Sequence, residues 1–266
     1  MTQQQRPHSM TTIRDVWLKA LPQFPRVGAG DDLAALTLAS LVHAAVSLQP
    51  DDVLVYAQKV VSKAEGRRID LRKITPSPRA LELAQTVRKD ARLVELILRE
   101  SRRIVRTAPD VLITEHRLGL IMANAGIDQS NVAAERDGEF ALLLPEDPDA
   151  SAAQLREQLG RRSGVRPAVI ISDSFGRPWR LGTVGVAIGC AGFPALRDLR
   201  GRPDLFGRRL RVTQVGCADQ VAAAAALLMG QSDEGQPVVL LRGLRPDEPY
   251  QPAAALLRPA SGDLFR

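Results

Sequence analysis

Residues 169–180 read Val-Ile-Ile-Ser-Asp-Ser-Phe-Gly-Arg-Pro-Trp-Arg, an apolar run that leads directly into a polar loop. The run Val169–Ser172 is short and almost entirely apolar, which predicts a buried strand. Asp173 follows at the predicted end of this strand, beside a hydroxyl, and a carboxylate in this setting suits a metal ion that prefers oxygen ligands. Arg177 and Arg180 offer positive charge for a phosphate or a carboxylate. This segment is the most specific chemical signal among the loops of the chain.

Strand and helix patterns mix on both sides of this stretch without a strict strand–helix–strand rhythm. Apolar runs predict strands at 53–57, 104–106, 111–114, 118–123, 186–188, 210–215 and 238–242. Helical spacing predicts helices at 33–48, 79–103, 149–160 and 219–229, and a short one that starts near Thr12 and ends at Pro22–Pro25. This order favours an α+β fold over a doubly wound sheet.

Composition and charge restrict the classes of function. The 266 residues are 45% hydrophobic and 25% charged, which is ordinary for a globular protein of one large domain or two small ones. The net charge of +6 comes from arginines scattered along the chain, and aromatics make up only 4%, so a nucleic-acid partner is the weakest hypothesis. No run of about 18 apolar residues exists. The polar start Met1–Met10 lacks a signal core, and we therefore expect a cytoplasmic protein with no membrane partner.

Three further polar segments are candidates for chemistry. Residues 58–67 follow a predicted strand, and Lys63 lies beside a hydroxyl and near a glycine, which suits a phosphate, although a solvated strand end is the commoner explanation of this segment taken alone. Residues 123–131 contain Asp128 among amides and hydroxyls, which indicates either a ligand for a hard cation or an Asx-turn. Residues 229–237 connect a helix to a strand, either as a simple turn or as a nucleotide contact.

Together these segments resemble the coenzyme F420-0:L-glutamate ligase family, also called F420-0:γ-glutamyl ligase, from about Phe24 to about Gly243. The order and spacing of several stretches carry the resemblance. They are 30–33, 61–67, 124–131, 144–152, 172–180, 200–208 and 238–243.

The resemblance implies a fold and an organisation. It implies an α+β fold of mixed, mostly antiparallel sheets with flanking helices, assembled as an intertwined homodimer. We expect a disordered tail over 1–11, a ligase domain over 12–250 that can divide into two subdomains, and a C-terminal extension over 251–266.

The resemblance also implies a reaction and a set of site residues. The reaction joins L-glutamate to the terminal carboxylate of F420-0 with GTP, two divalent cations per site (Mg²⁺ or Mn²⁺) and K⁺ as a helper. Asp128 and Asp173 would hold one metal, and Ser174 and Gln231 the second. Asp128, Asp173 and Lys63 would be the catalytic residues. The GTP contacts would be Phe24, Pro25, Arg26, Val27, Gln58, Lys63, Asn131, Met229, Gly230, Gln231, Ser232, Asp233, Glu234, Gly235 and Gln236.

Two departures from the family pattern keep other functions open. Relatives usually carry Gly-Gln-Thr and then Asp or Asn where this chain reads Gly182-Thr183-Val184-Gly185, and they carry Glu where it has Gln220. These changes leave two alternatives, an amide ligase for another carboxylate acceptor or a degenerate nucleotide-binding homologue. The clustered charge of Lys63 and the two aspartates favours an active enzyme over a degenerate one.

Overall fold

The computed structural model describes residues 15–132, 139–244 and 248–264. The tail predicted over 1–11 and the start of the helix predicted near Thr12 lie outside these residues. The remainder of that helix prediction is wrong, because Trp17–Ala20 is a strand. These four residues pair with a strand near the C-terminus, from Trp17 opposite Arg242 to Ala20 opposite Val239, so the ladder overrides any local helical tendency.

A five-stranded mixed sheet forms the centre of the molecule. In spatial order its strands are β1 (Trp17–Ala20), β12 (Val238–Arg242), β2 (Val53–Ala57), β8 (Ala168–Arg177) and β9 (Arg180–Ala191). β2 and β8 are parallel, and the other neighbouring pairs in this sheet are antiparallel. The strands predicted at 53–57 and 238–242 are confirmed at both ends.

Helices cover both faces of this sheet, which is why its central strands read as continuous apolar runs. Successive residues of a strand point to opposite faces. Leu54 and Tyr56 of β2 thus belong to one buried core, with α1 (Leu33–His43), α2 (Gln58–Ala64) and α5 (Pro148–Ser163). Val53 and Val55 belong to the other, with α6 (Cys217–Met229).

The remaining strands form smaller antiparallel sheets. They are β4 (Ser101–Ala108), β5 (Val111–His116) and β6 (Ile121–Ala123) in one, β3 (Arg68–Asp70) with β7 (Phe140–Leu142) in a second, and β10 (Leu196–Asp198) with β11 (Gln214–Gly216) in a third. A third core lies under α3 (Pro78–Val87) and α4 (Ala91–Arg99). The expected α+β class with mostly antiparallel sheets is confirmed.

Several predicted boundaries need correction. The helical region predicted over 79–103 is two helices and the start of β4, because Arg88 takes a left-handed conformation and Asp90 caps a new helix. The helix predicted to reach residue 48 ends at His43. Strands predicted at 118–123 and 210–215 cover only Ile121–Ala123 and Gln214–Gly216.

Two segments that carry predicted site residues also differ from expectation. Residues 58–64 form α2, not a strand end. The expected loop at 172–180 is a hairpin, in which β8 continues to Arg177 and β9 begins at Arg180. Asp173 therefore lies within a strand, opposite Val186, and its backbone is fixed by the ladder on one side.

Two carboxylates connect separate parts of the fold through several contacts each. Asp149, in the first turn of α5, accepts backbone N–H groups from Cys190, Ala253 and Ala254 at 2.8, 2.7 and 3.1 Å. It therefore ties the C-terminal segment to β9.

Glu100 is the second of these carboxylates. Its Oε2 lies 3.2 Å from Arg67 Nη2, 3.2 Å from Arg117 Nε and 3.4 Å from His116 Nε2. Burial by itself would raise the pKa of Glu100, but the contact with His116 and the charges of the two arginines outweigh it and lower the pKa.

Candidate active site

A cavity of about 710 Å³ opens where the parallel strands β2 and β8 end. Ligands of open sheets commonly bind at the carboxyl ends of parallel strands. The structure brings most of the predicted site residues to this cavity. Its walls include Phe24, Pro25, Arg26, Val27, Gln58, Lys63, Asn131, Asp173, Ser174, Met229, Gly230, Gln231, Ser232, Asp233, Glu234, Gly235 and Gln236.

Asp128 lies just behind this wall, in a loop with a constrained backbone. Asn124, Ala125 and Gly126 precede it in three successive left-handed conformations. Asp128 then exchanges two backbone hydrogen bonds with Leu142, at 3.0 and 2.8 Å. The turn is thus held independently of the side chain, which is directed to the cavity residue Gln58, whose Nε2 donates to Asp128 Oδ2 at 2.9 Å.

The two aspartates interact electrostatically. Burial, and then the negative charge of Asp128, raise the pKa of Asp173 to about 7, although its Oδ1 accepts the backbone N–H of Ser174 at 2.8 Å. Burial also raises the pKa of Asp128, against the opposing effect of Lys59. Two carboxylates that share a partly desolvated space are an unfavourable arrangement unless a cation or a proton joins them.

Two further oxygen donors stand close by. Ser174 Oγ donates to Gln231 Oε1 at 2.7 Å, so the residues predicted to hold the second metal are in contact. All four groups present oxygen atoms, the ligand type that Mg²⁺ and Mn²⁺ prefer. Within the described ranges no three His, Cys, Asp or Glu side chains cluster as a metal site, so any ion here would depend on hydroxyl, amide, water or substrate oxygens. These oxygen ligands fit a hard divalent cation that keeps some coordination positions open.

Another part of the cavity lining is basic. Lys63 Nζ donates to the Asn131 carbonyl at 2.6 Å. Burial lowers the pKa of Lys63, and the charges of Lys59, Arg26 and Arg68 lower it further. Several cations that destabilise one another in this way form a natural site for a polyphosphate or another polyanion.

The loop after α6 closes a third side. Gly230 ends the helix with φ of +69°, where a side chain would be strained and would also meet Glu234. The Glu234 carboxylate accepts the Ser232 N–H at 2.8 Å, and backbone N–H groups lower its pKa. Asn131 Nδ2 donates to the Ser232 carbonyl at 2.8 Å, which joins this loop to the Asp128 loop.

The cavity lining also contains three residues that are not among the predicted site residues, namely Lys59, Arg68 and Gly185. Lys59 and Lys63 are one helical turn apart and share a face of α2, so a helical interpretation of 58–64 would have found both. Arg68 stacks on Phe140, with its guanidinium 4.3 Å from the ring centroid, a contact that no local pattern indicates.

Gly185 explains part of the departure from the family pattern. A Cβ at this position would lie 2.5 Å from the Ala222 carbonyl oxygen of α6. The missing side chain thus lets β9 pack directly on α6 at the cavity wall. An Asp or Asn here would require the helix and strand to separate.

This fold and site define a class of protein. It is an α+β enzyme with a large cavity that carries basic side chains and lies beside two carboxylates. The sequence model of the F420-0:γ-glutamyl ligase family matches residues 22–243. The chain belongs to this family.

Named relatives agree with this assignment over almost the whole chain. The coenzyme F420:L-glutamate ligase of Methanopyrus kandleri is 48% identical over 94% of this chain and 97% of its own length. The enzyme of that name from Methanothermobacter thermautotrophicus is 48% identical over 91% and 95%, and that of Archaeoglobus fulgidus is 44% identical over 83% and 84%.

Proposed function

We propose that this chain is a GTP- and divalent-metal-dependent ligase that forms an amide between L-glutamate and the terminal carboxylate of coenzyme F420-0. The observation that carries the proposal is the meeting of Lys63 and its neighbouring cations with Asp173 at one cavity, with Asp128 hydrogen-bonded to the cavity residue Gln58. The names of the relatives supply the substrate, since that cavity alone indicates only a polyanion and a cation.

The chemistry requires activation, because a carboxylate does not react with an amine at neutral pH. A carboxylate oxygen of the acceptor attacks the γ-phosphorus of GTP, the bond from that phosphorus to the β-phosphate oxygen breaks, and GDP leaves. The glutamate nitrogen then attacks the carbonyl carbon of the acyl phosphate, and phosphate leaves as the nitrogen loses a proton. The protein contributes mainly position and charge.

The cationic wall would hold the phosphates. Lys63, Arg26 and Arg68 line the cavity together, and their charges match the oxygens that gain charge as phosphoryl transfer proceeds. Gln58, Asn131, the 24–27 loop and the 229–236 loop would surround the rest of the nucleotide.

Asp128 and Asp173 would hold one divalent ion, and Ser174 with Gln231 the second, with K⁺ as a helper. These ions would neutralise polyphosphate charge and stabilise the transition state of phosphoryl transfer.

A homodimer is part of the proposal. Five large apolar side chains are between 84% and 99% exposed on two segments of the chain, the β8–β9 hairpin and residues 199–213. They are Trp179, Leu181, Leu205, Phe206 and Val212. Exposed apolar groups of this size are typical of surfaces covered by a partner.

Among the described residues, no helix is both long and apolar enough to cross a membrane.

The test is product analysis with F420-0, L-glutamate, GTP and Mn²⁺, followed by mass spectrometry. We expect F420-0 that carries added glutamate, with GDP and phosphate released in equal amounts. ATP in place of GTP, and chelation of the metal, serve as controls. Sedimentation measures the oligomeric state in the same preparation.

A second candidate is an amide ligase for another carboxylate acceptor. Val184 and Gly185 favour it, because they remove polar side chains beside the cavity. In that case no glutamate is added to F420-0, but acceptor-dependent GDP release appears with another carboxylic acid. A degenerate homologue would bind GTP and release no GDP with any acceptor.

A further inference from the structure

Lys59 lies near both the aspartates and the cations of the candidate site. Its Nζ lies 3.5 Å from Asp128 Oδ2 and donates to Ser130 Oγ at 3.0 Å. The two charged side chains are similarly accessible, with 30% of Lys59 and 28% of Asp128 exposed. The ammonium is therefore paired with a carboxylate predicted to hold a metal, while it remains in reach of the cavity.

Asp128 Oδ2 already carries two interactions. Gln58 Nε2 donates to this oxygen from one residue before Lys59 in the same helix. A divalent cation that binds this carboxylate must compete with the Lys59 ammonium, because two positive charges within a few ångströms repel each other. The flexible four-carbon stem of lysine allows the ammonium to move without a change in the backbone of α2.

The same cavity provides an alternative partner for the displaced ammonium. Lys59 lines it together with Lys63, Arg26 and Arg68, the wall proposed to hold a polyphosphate. A phosphate oxygen that enters here can accept the ammonium that Asp128 releases.

We propose that Lys59 is a positioning residue that serves as the counter-ion of Asp128 and couples divalent-metal binding to nucleotide binding. Without nucleotide, its ammonium weakens metal binding at Asp128. With nucleotide, the ammonium moves to phosphate and metal binding strengthens. This inference rests on the proposed function, because it requires a metal at Asp128 and a polyphosphate in the cavity.

The experiment measures Mn²⁺ binding by electron paramagnetic resonance, with and without GDP, in the wild type and in Lys59→Met. When two binding sites are coupled, one ligand typically changes the affinity for the other by about 5-fold to 150-fold. We expect Lys59→Met to bind Mn²⁺ about 10-fold more tightly than the wild type without GDP, and the strengthening by GDP to shrink several-fold. Lys59→Arg keeps the charge and should retain most of the coupling.

Two further variants distinguish the effect of the Lys59 charge from the effect of its hydrogen bond to Ser130. Lys73→Met removes the same charge at an exposed position outside the cavity lining and should behave as the wild type. Ser130→Ala removes the hydroxyl that Lys59 binds but keeps the ammonium beside Asp128, so the coupling should persist. If Ser130→Ala and Lys59→Met instead weaken Mn²⁺ binding alike, Lys59 is only a tether for the loop and the inference is wrong.

The remaining outcomes distinguish this inference from the proposed function. Unchanged or weaker nucleotide-free Mn²⁺ binding in Lys59→Met overturns the role of Lys59 and leaves the ligase proposal intact. No Mn²⁺ binding in the wild type, with or without GDP, overturns the metal site and this inference together. Lys59→Gln provides a second neutral variant if Lys59→Met does not fold, as judged by circular dichroism.

Discussion

Asp173 and Glu100 are two partly buried carboxylates in opposite situations. Glu100 has three cationic or potentially cationic neighbours, and its pKa is lowered despite burial. Asp173 faces the negative charge of Asp128, and its pKa is raised to about 7. The first arrangement stabilises the fold. The second is less favourable as a pair of anions, even with Lys59 beside Asp128, and gains stability when a further cation binds, which is how functional sites differ from structural ion pairs.

The strongest way to break this comparison is Asp173→Asn, which keeps the shape of the side chain and removes its charge. We expect turnover to fall by at least about 10³-fold, because the variant loses a proposed metal ligand. The free energy of unfolding without metal should stay level or rise, since an unfavourable charge is gone. Steady-state GDP release with saturating Mn²⁺ and chemical denaturation measure the two effects.

Asp110→Asn is the matched control for this substitution. Asp110 lies in the β4–β5 turn with φ of +65°, a conformation that Asn also tolerates. It should change neither quantity. Retention of most activity by Asp173→Asn would contradict the site assignment.

Lys63→Met sharpens the comparison from the cationic side. Loss of one positioned donor to a transferring phosphoryl group typically costs about 10²-fold in rate, and we expect a loss of that order in kcat. Nucleotide affinity should also fall, as measured by calorimetry with GDP. Lys73→Met controls for net charge, and equal losses in both variants would refute a local role for Lys63.

Glu100→Gln tests the structural half of the comparison. Breaking a buried ion pair costs about 3–5 kcal/mol, and the partial exposure of the arginines reduces our expectation to about 2 kcal/mol in the free energy of unfolding. Turnover of the folded enzyme should be unchanged. Urea denaturation at pH 7 measures the loss.

The pH dependence of Glu100 has a definite sign. A pKa lowered in the folded state gives a stabilisation that is complete above the unfolded pKa of about 4.3 and is lost as the pH falls through the folded value. The wild type should therefore lose more stability than Glu100→Gln between pH 6 and pH 3. Parallel curves for the two proteins would show that the network contributes nothing.

The smallest effect is expected for Arg117→Gln, which removes one of the three partners of Glu100. Because a third of the Arg117 side chain is exposed, at 33%, we expect a loss of about 1 kcal/mol or less. Thermal unfolding of this variant beside Glu100→Gln measures the share of one partner. A loss as large as that of Glu100→Gln would mean that Arg117 dominates the network.

The sequence predicted the parts of the fold that depend on local apolar runs. β2 and β12 were predicted to the residue, because strands buried on both faces leave continuous apolar runs. β1 was missed because its four residues form a strand only through pairing with β12. The parallel pairing of β2 with β8 depends on contacts over more than 100 residues and leaves no local signal.

The candidate site also contains some residues that local sequence indicates and others that depend on contacts between distant parts of the chain. Asp173 could be predicted because it directly follows an apolar run, whereas Asp128 became a firm candidate only through the family resemblance. Arg68 and Gly185 could not be predicted from their neighbours in sequence. Their positions depend on Phe140 and Ala222, which only the folded chain brings to them.

The three hydrogen bonds accepted by Asp149 have a practical consequence for protein engineering. A chain cut before Ala253 would leave this carboxylate with one of its three donors and would uncover the part of β9 that the final segment touches. Ala253 and Ala254 are therefore part of the folding unit. If a protease that removes a C-terminal affinity tag also cut within this segment, the resulting protein would be less stable.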